Sequence, residues 1–201
     1  METKGLMLGD LVLFDNTKVK VFGIDKNKKL RLLVTSKCPH KCPMCCNNQF
    51  NLLDLPVVDR LDYNEVMITG GEPLLFPTRV TQLVNGMRHL CGATTKFYVY
   101  TSIPKALIFL HVLEAVDGIV LTPHDKNAVM SFIELNGYLL AKPELTYNKS
   151  LRLNLFADIR EQLPASIDLS HWNVKDMEWI KDCPVPEGED FRRLPNLFQH
   201  N

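Results

Sequence analysis

Four of the six cysteines stand together at Cys38, Cys42, Cys45 and Cys46, with only Cys91 and Cys183 elsewhere. The run Lys37-Cys38-Pro39-His40-Lys41-Cys42-Pro43-Met44-Cys45-Cys46 contains the spacing C-x-x-x-C-x-x-C. Three thiols this close cannot all lie in one regular strand or on one helix face, whereas a loop can wrap them around a compact inorganic centre. Iron-sulfur clusters are commonly held by four cysteine thiolates, so a set of three leaves one iron open to a small molecule. Structural zinc is the alternative, with Cys46, His40 or a distant residue completing its usual four ligands. Crowding of this kind argues against a spread of disulfide staples and reads as metal chemistry in a reducing compartment.

A second chemical stretch is Met67-Ile68-Thr69-Gly70-Gly71-Glu72-Pro73. Two glycines let the backbone turn with its polar groups exposed, Glu72 offers a carboxylate to a cation such as an ammonium group, and Pro73 stiffens the exit. Turns from strand to helix use the same residue types simply to reverse direction.

The elements that must position these stretches are short. Four β-rich apolar runs end in Thr: Leu32 to Thr35, Val66 to Thr69, Phe97 to Thr101 and Ile119 to Thr122. After the second, Val80, Leu83, Val84, Met87, Leu90 and Cys91 recur with helical periodicity behind a Pro77-Thr78 start. After the third, Ser102 is placed to cap a helix carrying Leu107, Leu110, Leu113 and Val116 towards one side, and after the fourth Asp125 is placed to cap another. Ser150 to Phe156 reads as a fifth strand and 165 to 170 as a weaker sixth, while 11 to 25 read as an extra hairpin before the repeat begins. Strand followed by helix, repeated, is the pattern of a parallel sheet. A full eight-unit barrel takes about 250 residues. The 201 present predict an α/β fold, a partial (βα)5-6 TIM-like barrel with an N-terminal hairpin extension. One domain is expected over 1 to 201, with its core at about 29 to 170 and a tail over 171 to 201.

Composition narrows the functional class. Lys plus Arg number 23 against 23 Asp plus Glu, so no bulk field draws nucleic acid or an anionic membrane. The short apolar stretch at the amino end is interrupted by Asp10, and no run reaches the roughly 18 apolar residues of a membrane span. A cytoplasmic protein is expected.

With its cysteine motif after the first strand and Gly70-Gly71-Glu72-Pro73 after the second, the chain resembles the radical S-adenosylmethionine (radical SAM) superfamily. The resemblance implies a 4Fe-4S cluster on Cys38, Cys42 and Cys45, with S-adenosyl-L-methionine chelating the fourth iron. Gly70, Gly71, Glu72 and Pro73 match the segment that holds its amino group. Met44 stands where the family often has an aromatic residue and is placed to pack on adenine, and Cys46 permits a second register. Thr101, Ser102 and, on the late strand, Asn154 with Arg152 correspond to further cofactor contacts. The implied activity is that of an oxidoreductase or lyase: reductive cleavage of the cofactor to a 5'-deoxyadenosyl radical, which takes hydrogen from a substrate. An electron donor such as flavodoxin or ferredoxin is implied as partner. Compact size resembles both the enzymes that install a glycyl radical on a partner protein and the synthase making 7-carboxy-7-deazaguanine. A zinc-bound interaction module without catalysis is the competing reading.

The remaining candidates have plain structural readings beside functional ones. His124 follows the fourth strand and His171-Trp172 the sixth, where active sites of such barrels gather, yet His124 can merely precede a helix cap and Trp172 can cover the core. Lys37, His40 and Lys41 either screen a charged centre or lie on a solvated loop. Cys91 reads as core packing, and the isolated Cys183 argues against a second cluster. Trp172, Trp179 and Phe191 in the tail are placed to close over a small molecule.

Overall fold

The computed structural model describes residues 7–12, 18–22, 25–42, 44–48, 51–91, 94–180 and 184–199, with side chains from 28 onward apart from residue 46. An antiparallel hairpin comes first, β1 (Met7–Val12) against β2 (Lys18–Phe22). The body follows in chain order as β3 (Asp25–Thr35), β4 (Tyr63–Gly70), α1 (Pro77–Cys91), β5 (Lys96–Thr101), α2 (Ala106–Ala115), β6 (Gly118–Leu121), α3 (Lys126–Ala141), β7 (Ser150–Phe156), the single turn α4 (Ala157–Arg160), β8 (Asn173–Met177) and β9 (Glu189–Arg193). Seven strands form one all-parallel sheet in the order β8-β7-β6-β5-β4-β3-β9. This is the partial (βα) barrel-like architecture expected from the repeat.

Burial on both faces explains the strand compositions, because a parallel sheet covered by crossovers needs near-continuous apolar runs. Leu30, Leu32, Leu33 and Val34 of β3 are all inaccessible, as are Ile119 and Leu121 in the entirely buried β6. In β7, Leu151, Leu153 and Leu155 point into the core while Arg152 is exposed. The helices answer with Val80, Leu83, Val84 and Met87 of α1, Phe109 and Val112 of α2, and Val129, Phe132 and Leu135 of α3. Each such side chain contributes about 1.5–3 kcal/mol by leaving water.

Helix starts follow their sequence cues in two of three cases. Pro77 opens α1, and the Asp125 carboxylate caps α3 by accepting from the Ala128 N–H at 2.8 Å. Ser102 does not cap α2. That helix begins at Ala106 with no side-chain cap, and Leu107 is 87% exposed, whereas Leu113 and Val116 are buried.

The expected sixth strand over 165 to 170 is corrected. Those residues are loop, and the strand beside β7 is β8, further along the chain. Ile167 and Leu169 still pack on the core, and Asn136 holds the loop by donating to the Asp168 carbonyl at 2.9 Å. His171 therefore precedes its strand and lies at the amino-terminal edge of the sheet, where its Nδ1 meets the Thr146 hydroxyl at 3.3 Å. Trp172 is core: it packs on Phe109 and Phe132 and donates its indole N–H to Asn136 at 2.9 Å.

A carboxy-terminal segment seals the other side of β3. β9 runs parallel to it, with Arg31 paired to Glu189 at 2.7 Å, and the chain then passes along the end of β3. Phe198 is fully buried there. Its N–H donates to the Val34 carbonyl at 2.8 Å, and its own carbonyl accepts from the Thr35 hydroxyl at 2.9 Å.

Candidate functional site

In a parallel sheet every strand delivers its carboxyl end to the same edge, which is where such folds build sites. Here that edge gathers Thr35 and the cysteine loop behind it, Gly70-Gly71-Glu72, Thr101-Ser102, Thr122 to His124, and Phe156. A cavity of about 470 Å³ opens among Ser36, Cys38, His40, Lys41, Cys42, Cys45, Asn47 and Asn48.

The glycine stretch docks the loop. The Gly71 N–H donates to the Thr35 carbonyl and the Glu72 N–H to the Lys37 carbonyl, both at 2.7 Å. Gly70 has φ +146°, and a Cβ on it would lie 2.3 Å from the Thr35 oxygen; one on Gly71 would lie 2.1 Å from the Lys37 oxygen. Only glycine admits so close a backbone approach. Pro73 then opens a short 3-10 turn, Pro73–Leu75, and is buried.

Glu72 is 1% exposed and saturated by its own chain. One carboxylate oxygen accepts from the Leu74 N–H at 3.0 Å and the Thr101 hydroxyl at 2.7 Å; the other accepts from the Ser102 N–H at 2.7 Å and the Ser102 hydroxyl at 2.6 Å. Three of these four bonds tie the end of β4 to the end of β5, and the Leu74 bond closes the turn that follows Glu72. Asn154 sits two strands away, its amide 3.3 Å from the Thr122 hydroxyl, and Met44 projects from the cysteine loop, 44% exposed.

Thiol chemistry is set by the surroundings. Burial raises the Cys38 thiol above its ordinary range; a backbone bond involving His40 opposes this, and the charges of Glu72 and Cys45 add to it. Burial likewise raises Cys42, with Cys45 and then Cys38 contributing. Both are thiols at neutral pH. Cys42 and Cys45 share one turn, closed by the Cys45 N–H donating to the Cys42 carbonyl at 3.3 Å. Cys91 is core, its thiol pushed up to about 12 by burial, with Asp62 adding. Cys183 and the side chain of Cys46 lie outside the described residues.

The metal reading is corrected by this placement. Among the described residues, no group of three or more His, Cys, Asp and Glu side chains is gathered so as to hold a metal ion. Ligands have to converge on one centre. Here Cys38 rides on the segment docked to Gly71 and Glu72, whereas Cys42 and Cys45 belong to a separate turn, so the three border one cavity without forming a ligand set. This overturns the expected 4Fe-4S cluster, S-adenosyl-L-methionine as its ligand, and the zinc alternative. With them go the assignment to the radical SAM superfamily and the oxidoreductase or lyase activity built on it. No family model matches the chain, and no curated protein is similar to it in sequence.

An aromatic pile completes the edge and was largely hidden from sequence reasoning. His124 stands 5.3 Å from the His40 ring and stacks on Phe156 at 5.9 Å and Trp179 at 6.0 Å, while Phe156 and Trp179 stack at 4.1 Å with 15° between planes. Burial, and next the neighbouring His40, lower the His124 pKa, so the ring is neutral at pH 7. His40 joins pile to cavity, its Nδ1 3.7 Å from the Asp125 carboxylate. The signals in sequence were the position of His124 just after a strand and Trp179 in the tail, with nothing to show that the two rings meet. Among the described residues, no helix is long and apolar enough to cross a membrane.

Proposed function

We propose that the chain binds a small anionic organic molecule bearing a planar ring, at the carboxyl edge of its sheet. The observation that carries this reading is the lining of the cavity. Lys41 and His40 border it, no described carboxylate does, and Glu72 behind it is already satisfied by four bonds. A cavity of this size falls in the range of small-molecule sites, about 300–1,000 Å³. Asn48 and Ser36 supply further polar groups for an anion, and the Cys38, Cys42 and Cys45 thiols add a polarisable wall. The ring would lie against the His124-Trp179 pile, where Trp179 as a whole is 39% exposed.

Calorimetric titration with nicotinate, cyclohexanecarboxylate and inorganic phosphate tests it. The expected order is nicotinate tightest, with Kd below about 1 mM, equivalent to roughly -4 kcal/mol. Lys41→Glu weakens both carboxylates, whereas Trp179→Leu weakens nicotinate alone. Absence of heat with all three probes, or binding indifferent to both substitutions, would overturn the reading.

A further inference from the structure

We infer that Cys42 and Cys45 form a reversible disulfide in response to a small-molecule disulfide oxidant. The inference stands on the geometry of one turn and does not depend on the ligand reading. A turn whose last N–H bonds its first carbonyl holds its end Cα atoms within about 7 Å. Cys42 and Cys45 end such a turn, and disulfides span Cα separations of about 4.4–6.8 Å. Both are free thiols on the wall of the same open cavity, so a soluble oxidant has access and no backbone movement across the loop is needed. Cys38 borders that cavity too, but the docking of Lys37 on Glu72 anchors its segment to the sheet. Closing a bridge to Cys38 would strain that dock, and closing Cys42 to Cys45 leaves it untouched. Two cysteines separated by two residues beside a strand-helix unit are also the arrangement used by dithiol redox centres.

The exchange balances with oxidised glutathione as the oxidant. The Cys42 thiolate attacks one sulfur of the glutathione disulfide, forms a mixed disulfide and releases one glutathione thiolate. The Cys45 thiolate then attacks the Cys42 sulfur and releases the second. The protein loses two protons and two electrons, and the oxidant becomes two glutathione molecules. Because Cys42 is held as a thiol at neutral pH, the first step accelerates as pH rises.

The test equilibrates the full chain across reduced-to-oxidised glutathione ratios, quenches with acid, alkylates with N-ethylmaleimide and maps peptides by mass spectrometry. The expected product has one internal Cys42–Cys45 bridge, with Cys91 still alkylated after denaturation, and dithiothreitol restores the thiols. Cys45→Ser leaves a glutathione adduct on Cys42, while Cys38→Ser and Cys46→Ser retain the bridge. A bridge that uses Cys38 or Cys46 instead, or full alkylation of Cys42 and Cys45 at every ratio, would overturn the inference.

Discussion

The side-chain amide of Asn47 donates to the carbonyl of Gly70 at 2.7 Å, which fastens the far end of the cysteine loop to the end of β4. The near end is held by the next residue, since the Gly71 N–H bonds the Thr35 carbonyl. Gly70 and Gly71 thus clasp a loop of more than ten residues at both its ends. The glycine stretch positions the site, and the cysteines and His40 line it.

Replacing Gly71 with Ala should break this clasp. Its Cβ would fall 2.1 Å from the Lys37 carbonyl oxygen and 2.4 Å from the carbonyl carbon, both backbone atoms that cannot swing aside. A loss of roughly 1–3 kcal/mol is expected in urea unfolding. Gly86→Ala is the control: nothing lies within 4 Å and the residue is inside α1, so it should gain about 0.5–1 kcal/mol. Equal effects from the two substitutions would contradict the close approach.

Removal of the Glu72 carboxylate should be costly for stability whatever ligand the cavity takes. Glu72→Ala strands the buried N–H groups of Leu74 and Ser102 with two hydroxyls, and a loss of about 3–5 kcal/mol is expected. Glu72→Gln keeps the shape but turns an amide donor towards other donors, at about 1–3 kcal/mol. Chemical denaturation ranks them, and a neutral Glu72→Ala would show that the four bonds are not formed.

Phe198 should control the cysteine loop from the opposite end of the chain. Its ring packs edge-on to Phe76 at 5.9 Å and beneath the Arg79 guanidinium at 4.7 Å, and its backbone bonds Val34 and Thr35. Phe198→Ala leaves a core void expected to remove about 3–5 kcal/mol. Thr35 loses a fixed partner, so Cys38 should alkylate faster in the still-folded protein. An unchanged rate would separate the tail from the loop.

Alkaline pH should weaken the fold through Cys91. Its thiol is held at about 12 when folded against 9.0 for the free group, so the folded state keeps a proton that the unfolded state releases. The stabilisation is full below pH 9 and is lost as pH climbs from there towards 12. Urea midpoints at pH 8 and pH 10.5 measure the fall, and Cys91→Val should flatten part of it. Iodoacetamide should reach Cys38 and Cys42 in the native protein, slowly at pH 7 and faster as pH rises. Identical midpoints at the two pH values would sink the assignment.

The sequence by itself determined the local periodicities and the signals that act within a few residues. Continuous apolar runs such as Ile119 to Leu121 had to be strands buried on both faces, α1 had to begin at Pro77, and Asp125 had to cap α3 because its carboxylate reaches an N–H three residues on. They also put the cysteine run directly behind a strand. What depended on partners far along the chain was decided only by the tertiary structure. β8 reads Asn-Val-Lys-Asp-Met, an edge strand with little apolar face, so the alternation of Ile167 and Leu169 gave the stronger but misleading signal and carried His171 to the wrong edge. Glu72 reads as a free carboxylate until β5 brings Thr101 and Ser102 beside it. Three cysteines at suggestive intervals fix only how much chain separates them. Where the thiols stand depends on which backbone each segment is bonded to, and folding fastened Thr35 and Lys37, just before Cys38, to Gly71 and Glu72 while leaving Cys42 and Cys45 in a turn of their own.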